Sequence, residues 1–166
     1  VEAALRSSGM DYTFLRPNLF MQGLLNFRSA IATQSAFYAA AGDAKVSVVD
    51  VRDIADVAVA ALTELGHEGK TYDLTGPKSL THAEMADFLS AAIGRKITFV
   101  DISPEAMHTA LLDLGFPLWQ ADGLLEDYAH YRHGEAQAIA FGVQDAIGKN
   151  PRNFEEFAHD YATVFG

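Results

Sequence analysis

The sequence predicts an α/β fold, in which parallel strands alternate with helices and a small, mostly helical subdomain follows. Three observations carry that prediction. Helix-like and strand-like patterns alternate up to residue 102. One strand candidate, residues 12–16 (YTFLR), lacks the polar alternation of a half-exposed strand, as expected where helices cover both faces of a parallel sheet. Beyond residue 102 strand patterns stop and only helical ones continue.

Residues 1–8 read as the last turns of a helix, with Gly9 at the left-handed C-cap position. No start signal precedes that helix, so the chain is expected to begin inside an element. The strand at residues 12–16 is stopped by Pro17. From Leu19 onward Phe20, Leu24, Phe27 and Ile31 recur at helical spacing, and residues 46–50 (VSVVD) alternate as a strand does. Ile54, Val57, Ala58, Ala61, Leu62 and Leu65 form the clearest amphipathic stripe, ending at Gly66, and residues 71–75 (TYDLT) return as a strand.

Thr81 and Glu84 have capping-box spacing, opening a helix with Met85, Phe88, Leu89 and Ala92 on its apolar face and Gly94 as its stop. Residues 97–102 are the next strand. Ser103-Pro104 then caps a helix bearing Met107, Ala110, Leu111 and Leu114, and a further helix carries Ala121, Leu124, Leu125 and Tyr128 up to Gly134. The last helix starts at Asn153, with Glu156 three residues on, and presents Phe154, Phe157, Ala158, Tyr161 and Phe165. The reading is therefore one domain over residues 1–166: a sheet-and-helix part at 1–102, a helical lid at 103–150 and a C-terminal helix at 151–166.

Composition removes several functional classes. The 166 residues are 49% apolar and 20% charged, enough for one sizeable core. A net charge of -10, from 12 basic and 22 acidic residues with no basic stripe, disfavours nucleic acid as a partner. Cysteine is absent, which excludes disulfides and thiolate chemistry and fits a reducing, cytoplasmic setting. No apolar run approaches the roughly 18 residues that span a bilayer, so no membrane is expected as a partner.

The motifs are informative chiefly by what is missing. None of the thirteen glycines builds the glycine-rich strand-to-helix turn that lets a backbone approach a pyrophosphate. Gly66 and Gly69 follow a helix and precede a strand, so they read as a helix stop and a turn. The nearest approach to a Tyr-x-x-x-Lys proton relay is Tyr128 with Arg132, and a permanently protonated guanidinium relays poorly, so the pair reads as helix surface. His130, His133 and Glu126 share a helix face, read as solvated rather than metal-binding, and no metal site is expected. No catalytic residue is assigned.

Three phrases, LRSSGMDYTFLRPNLFMQ (5–22), VDVRDIADVAVAAL (49–62) and YDLTGPKSLTHAEMADFLS (72–90), resemble in order and spacing the second half of NmrA-like proteins, which are atypical short-chain dehydrogenase/reductases. The resemblance runs along essentially the whole chain and is weakest over residues 103–148. It implies the C-terminal portion of a Rossmann-like parallel sheet, with an upstream half carrying the glycine-rich loop and most NAD(P) contacts. By the same resemblance Pro17, Asn18 and Leu19 form the turn facing the nicotinamide, and Phe20 and Met21 begin the substrate pocket, a role that for these two stands level with plain helix core. Phe116, Pro117 and Trp119 are the cavity-like cluster of the lid, with Phe116 and Trp119 taken as substrate contacts. Asp53 matches an aspartate of the family but is read as structural, a carboxylate at the positive end of a helix.

The function so implied is NAD(P)H-dependent reduction of a small acceptor, such as a quinone or conjugated carbonyl, by a longer parent protein. The alternative is a non-catalytic NAD(P)-sensing regulator, and a nucleoside-diphosphate-sugar epimerase ranks below both. The chain alone is expected to bind NAD(P)H weakly. It is also expected to associate with an N-terminal half, or with itself, through an exposed sheet edge.

Overall fold

A computed structural model describes all residues from Val1 to Gly166. In chain order the elements are α1 (Glu2–Ser7), β1 (Phe14–Pro17), a 3-10 segment (Met21–Phe27), α2 (Arg28–Gln34), β2 (Ala36–Ala39), β3 (Lys45–Val46), α3 (Val51–Thr63) and β4 (Thr71–Leu74). These are followed by β5 (Leu80–Thr81), α4 (His82–Ile93), β6 (Thr98–Asp101), α5 (Pro104–Asp113), α6 (Leu118–Arg132), α7 (Gly142–Ile147), α8 (Phe154–Asp160) and α9 (Ala162–Phe165). The α/β class is as the sequence indicates. No helix is long and apolar enough to cross a membrane.

The strands form three pairs. β1 runs parallel to β4, with Phe14 opposite Thr71 and Pro17 opposite Leu74. β2 runs parallel to β6, with Ala36 opposite Thr98, and β3 lies antiparallel to β5. In β1 the N–H groups of Phe14 and Asn18 donate to Lys70 and Leu74 on the β4 side. Successive residues of a strand alternate their hydrogen-bonding direction, so Leu15 directs its backbone groups to the other edge of β1, where no strand lies.

Four local readings are corrected. Residues 46–50 are all buried, but only Lys45–Val46 pairs as strand. The backbone of Ser47 and Val49 instead donates to the irregular carbonyls of Ala136 and Leu19, because this segment threads between two loops. The second parallel strand is β2, whose AFYA sequence is alanine-rich and gives little strand signal, yet Ala39, Ala40 and Ala41 are at most 2% exposed. The helix expected from Leu19 begins as a 3-10 turn. Its three-residue period aligns Met21, Leu24 and Phe27, leaving Phe20 45% exposed while Met21 is 1% exposed. On α3 the buried line is Asp53, Val57 and Ala60; Leu62 lies open because it projects from the opposite face, and Leu65 because the helix ends at Thr63.

Two apolar clusters result. The larger gathers β2, α2, α4, α5, α6 and the C-terminal helices around Phe37, Leu89, Phe157 and Phe165. The smaller joins β1, β4, α3 and α7 through Val57, Leu74 and Val143. Within the 103–150 segment α5 and α6 pack on each other, but α7 packs on α3 and β4, so these helices do not form one lid. The C-terminal stretch is two short helices that meet at Tyr161.

The helix starts follow local chemistry. The Thr81 hydroxyl accepts from the Glu84 backbone N–H while the Glu84 carboxylate accepts from the Thr81 N–H, and Asn153 with Glu156 repeats this reciprocal capping. Ser103 caps α5 by accepting from Ala106 N–H, with Pro104 next in the chain. Gly94 closes α4 in the left-handed conformation, φ 78°.

Candidate functional site

The carboxyl ends of β1 and β4 lie side by side, and in open α/β sheets this end of the strands is where ligands gather. The turn after β1 is held by Asn18. Its Oδ1 accepts from Leu19 N–H at 2.8 Å, and its Nδ2 donates to Ser47 Oγ and to the Ala136 carbonyl, both at 2.9 Å. The carboxamide is thus engaged at both ends within the chain and sets the course of the turn. Val49 N–H then donates to the Leu19 carbonyl and Met21 N–H to the Val49 carbonyl. Gln22 completes the clamp, donating to Asp50 at 2.8 Å and accepting from Val51 N–H at 3.0 Å.

After β4 the chain passes through Gly76, whose N–H donates to the Val48 carbonyl at 3.0 Å. A Cβ at Gly76 would stand 2.2 Å from that oxygen, so only glycine lets the two backbones meet here.

Beneath the turn lies a cavity of about 80 Å³, lined by 17 residues of which 14 are apolar. It brings together Leu19, Phe20 and Met21 from the turn with Phe116 from the α5–α6 connection, residues distant in sequence. Pro17 and Asn18 lie outside this lining. Trp119 also lies outside it and is 76% exposed, a correction to its expected place. α6 begins at Leu118, and its inward positions are Ala121, Leu124 and Tyr128, so the first-turn tryptophan points away. Met21, Val48 and Phe154 are shared with a wider, polar cleft of about 790 Å³ that includes Lys78 and Arg152.

Two polar side chains of the cavity wall have no place in the sequence reading of the site. His82, 2% exposed, sets its Nε2 3.4 Å from the Tyr128 hydroxyl, and its Nδ1 is buried without a partner. Burial pushes the His82 imidazole down to about 4, so it is neutral at ordinary pH. Burial also pushes the Tyr128 phenol up to about 12. An unpaired buried nitrogen costs about 1–3 kcal/mol, which an apolar residue would avoid. Tyr128 is therefore wall and core, not helix surface. Its membership of the 121, 124, 125, 128 stripe was the available signal. Arg132 leaves it to donate to the Ala40 carbonyl at 2.8 Å and to Asp101. His82 gave no signal, since the capping residues around it mark only a helix start.

The charged groups nearby are structural. Asp50 caps α3 by accepting from Arg52 N–H and also binds the Arg52 guanidinium at 2.7 Å. Burial pushes the Asp50 carboxyl up, but the Arg52 and Gln22 hydrogen bonds outweigh it and hold it below the usual range. Asp53 stands in the first turn of α3, as the sequence indicates, and it is also buried by tertiary contact, bonded to Arg152. His130 pairs with Glu135 at 2.7 Å.

Several proteins similar to this chain in sequence and shape are reductases. An NAD(P)H azoreductase of Xenophilus azovorans is 42% identical over 162 residues, covering 98% of this chain and 57% of the relative. The NADPH-dependent quinone oxidoreductase QOR2 of Escherichia coli superposes with a TM-score of 0.85 at 28% identity, over 99% of this chain and 59% of that one. The triphenylmethane reductase of Citrobacter sp., solved with NADP(H), gives 0.81 at 30% identity over 97% and 56% of the two chains. The chain therefore spans a little over half the length of these relatives. The pattern of the NmrA-like family matches residues 1–158, and the chain belongs to that family.

Proposed function

We propose that this chain forms the acceptor-side part of an NAD(P)H-dependent reductase of small conjugated acceptors, of which quinones are the first class to test. The observation that carries the reading is the apolar cavity directly under the turn that ends β1, walled by Leu19, Phe20, Met21 and Phe116. Such a wall takes a flat, poorly hydrated molecule and keeps water from its reacting face. The reductase relatives point the same way.

The residues at the strand ends fit the nicotinamide end of a dinucleotide. They offer a rigid turn and apolar side chains for a planar ring, with Asn18 holding the turn in place. When bound, the dinucleotide supplies the hydride. This chain's residues orient the acceptor and exclude water, while the pyrophosphate contacts fall to a glycine-rich turn that this sequence lacks. Pro17, Asn18 and Leu19 are the proposed cofactor-side residues and Phe20, Met21 and Phe116 the acceptor-side ones. The sensor and epimerase alternatives have no comparable support from the site.

The test is spectrophotometric. The chain, with a dinucleotide-binding half supplied in the same polypeptide or as a separate fragment, is incubated with NADPH and menadione. Acceptor-dependent consumption of NADPH is expected. Intact dinucleotide binding with no acceptor-dependent consumption, across quinones and azo dyes, would overturn the reading.

A further inference from the structure

We propose that His82, oriented by Tyr128, is the recognition point of the apolar cavity and receives the oxygen of a neutral ring carbonyl. The proposal rests on the cavity being an acceptor site, and it adds which end of the acceptor enters and what holds it.

Buried side-chain nitrogens in folded proteins almost always have a partner, and an exception asks for a reason. His82 is 2% exposed, its Nδ1 has no partner, and its ring is packed among Phe37, Phe99 and Tyr128 with centroids 5.2 to 6.4 Å away. In an otherwise apolar wall, this histidine and the Tyr128 hydroxyl supply the buried polar chemistry; Gly23 brings no side chain and Asn26 is exposed. Both residues belong to a wall that is otherwise almost all hydrocarbon, and a few polar groups in such a wall are how sites for small, mostly apolar ligands fix orientation.

The identity of the ligand follows from charge, proton and size. Desolvation keeps the imidazole uncharged, so it has no excess attraction for an anion. A Tyr128 hydroxyl that donates to Nε2 leaves the proton on Nδ1; that atom is closed off from solvent, and a tilt of the ring into the cavity lets Nδ1–H donate to a carbonyl oxygen. The cavity, about 80 Å³, is about half the roughly 150 Å³ that holds benzene in an engineered protein cavity. Only the carbonyl-bearing edge of one ring enters; the remainder lies outward, toward half-exposed Phe20.

The experiment uses this chain, labelled with 15N at histidine, and two probes of similar shape: acetophenone, a neutral ring carbonyl, and ethylbenzene, which lacks the oxygen. Acetophenone is expected to move the His82 ring-nitrogen resonances and to bind at least about 5-fold tighter than ethylbenzene. In His82→Phe the preference falls to about 1-fold, and in Tyr128→Phe it is reduced. Equal binding of the two probes, an unmoved His82 signal at saturation, or no binding of either probe overturns the proposal. The wild-type resonances decide it even if His82→Phe fails to fold. The two readings fail separately. A His82-dependent preference without acceptor-dependent NADPH consumption sinks the reductase reading alone, whereas NADPH consumption without that preference sinks the role of His82 alone.

Discussion

Arg152 grips Asp53 twice, donating from its backbone N–H to Oδ2 at 2.8 Å and from its guanidinium to Oδ1, across 99 residues of chain. The pair ties the segment before α8 to the first turn of α3. The Asp53 side chain is 3% exposed and that of Arg152 35%, so the carboxylate is the member that depends on its partner. Arg152→Ala leaves that charge with the backbone N–H alone, and we expect a loss of about 2 kcal/mol, discounted for the open side of the arginine. Asp53→Asn should cost less, because it removes the buried charge. Urea unfolding of the two variants and the double mutant checks the order; an equal loss for both singles would contradict it.

A pH dependence follows from His82. Its folded value lies near 4 against an ordinary 6.5, so the unfolded chain takes up a proton first as pH falls. The contribution is fully present above pH 6.5 and is lost between about 6.5 and 4, roughly 3 kcal/mol at 1.36 kcal/mol per unit. Denaturation curves of wild type and His82→Phe across that window should diverge by this amount. Parallel curves would show that the imidazole is not held neutral.

Gly76 is expected to tolerate no side chain. The Cβ of an alanine would stand 2.2 Å from the Val48 carbonyl oxygen, inside contact distance of a backbone atom that cannot turn aside. Gly76→Ala should destabilise by about 1–3 kcal/mol and loosen the cavity wall at Val48 and Met21. Thermal unfolding measures the first effect and acetophenone binding the second. An unchanged melting temperature would show that the two backbones part easily.

Asn18→Ala removes three hydrogen bonds that shape the turn and strands Leu19 N–H. We expect about 2 kcal/mol of lost stability, or a melting temperature lower by about 4–8 °C. Asn18→Asp keeps the bond from Leu19 but not the two donations. An intermediate melting temperature for this variant is the outcome that assigns the effect to individual bonds.

The outer edge of β1 is expected to associate. Leu15 directs its backbone groups away from β4, and the nearby charges of Arg16 are engaged with Glu2. Sedimentation velocity at rising concentration should show self-association, or a complex with an added N-terminal half. A strictly monomeric chain that also ignores such a fragment would remove this expectation.

What was legible in the amino-acid order was local. The Thr81–Glu84 and Asn153–Glu156 caps, the Ser103-Pro104 start and the Gly94 stop lie where neighbouring residues put them, because each satisfies backbone groups within one turn. The α/β class and the β1–β4 end of the chain also followed from short patterns, and the family from three phrases. Tertiary structure alone decided the rest. β2 exists because β6 pairs with its alanines, Asp53 is buried because Arg152 arrives from 99 residues away, and Trp119 is displaced by the phase of α6. The junction of His82 with Tyr128 spans 46 residues. Burial and pairing of this kind depend on which surfaces meet, and no local propensity encodes that.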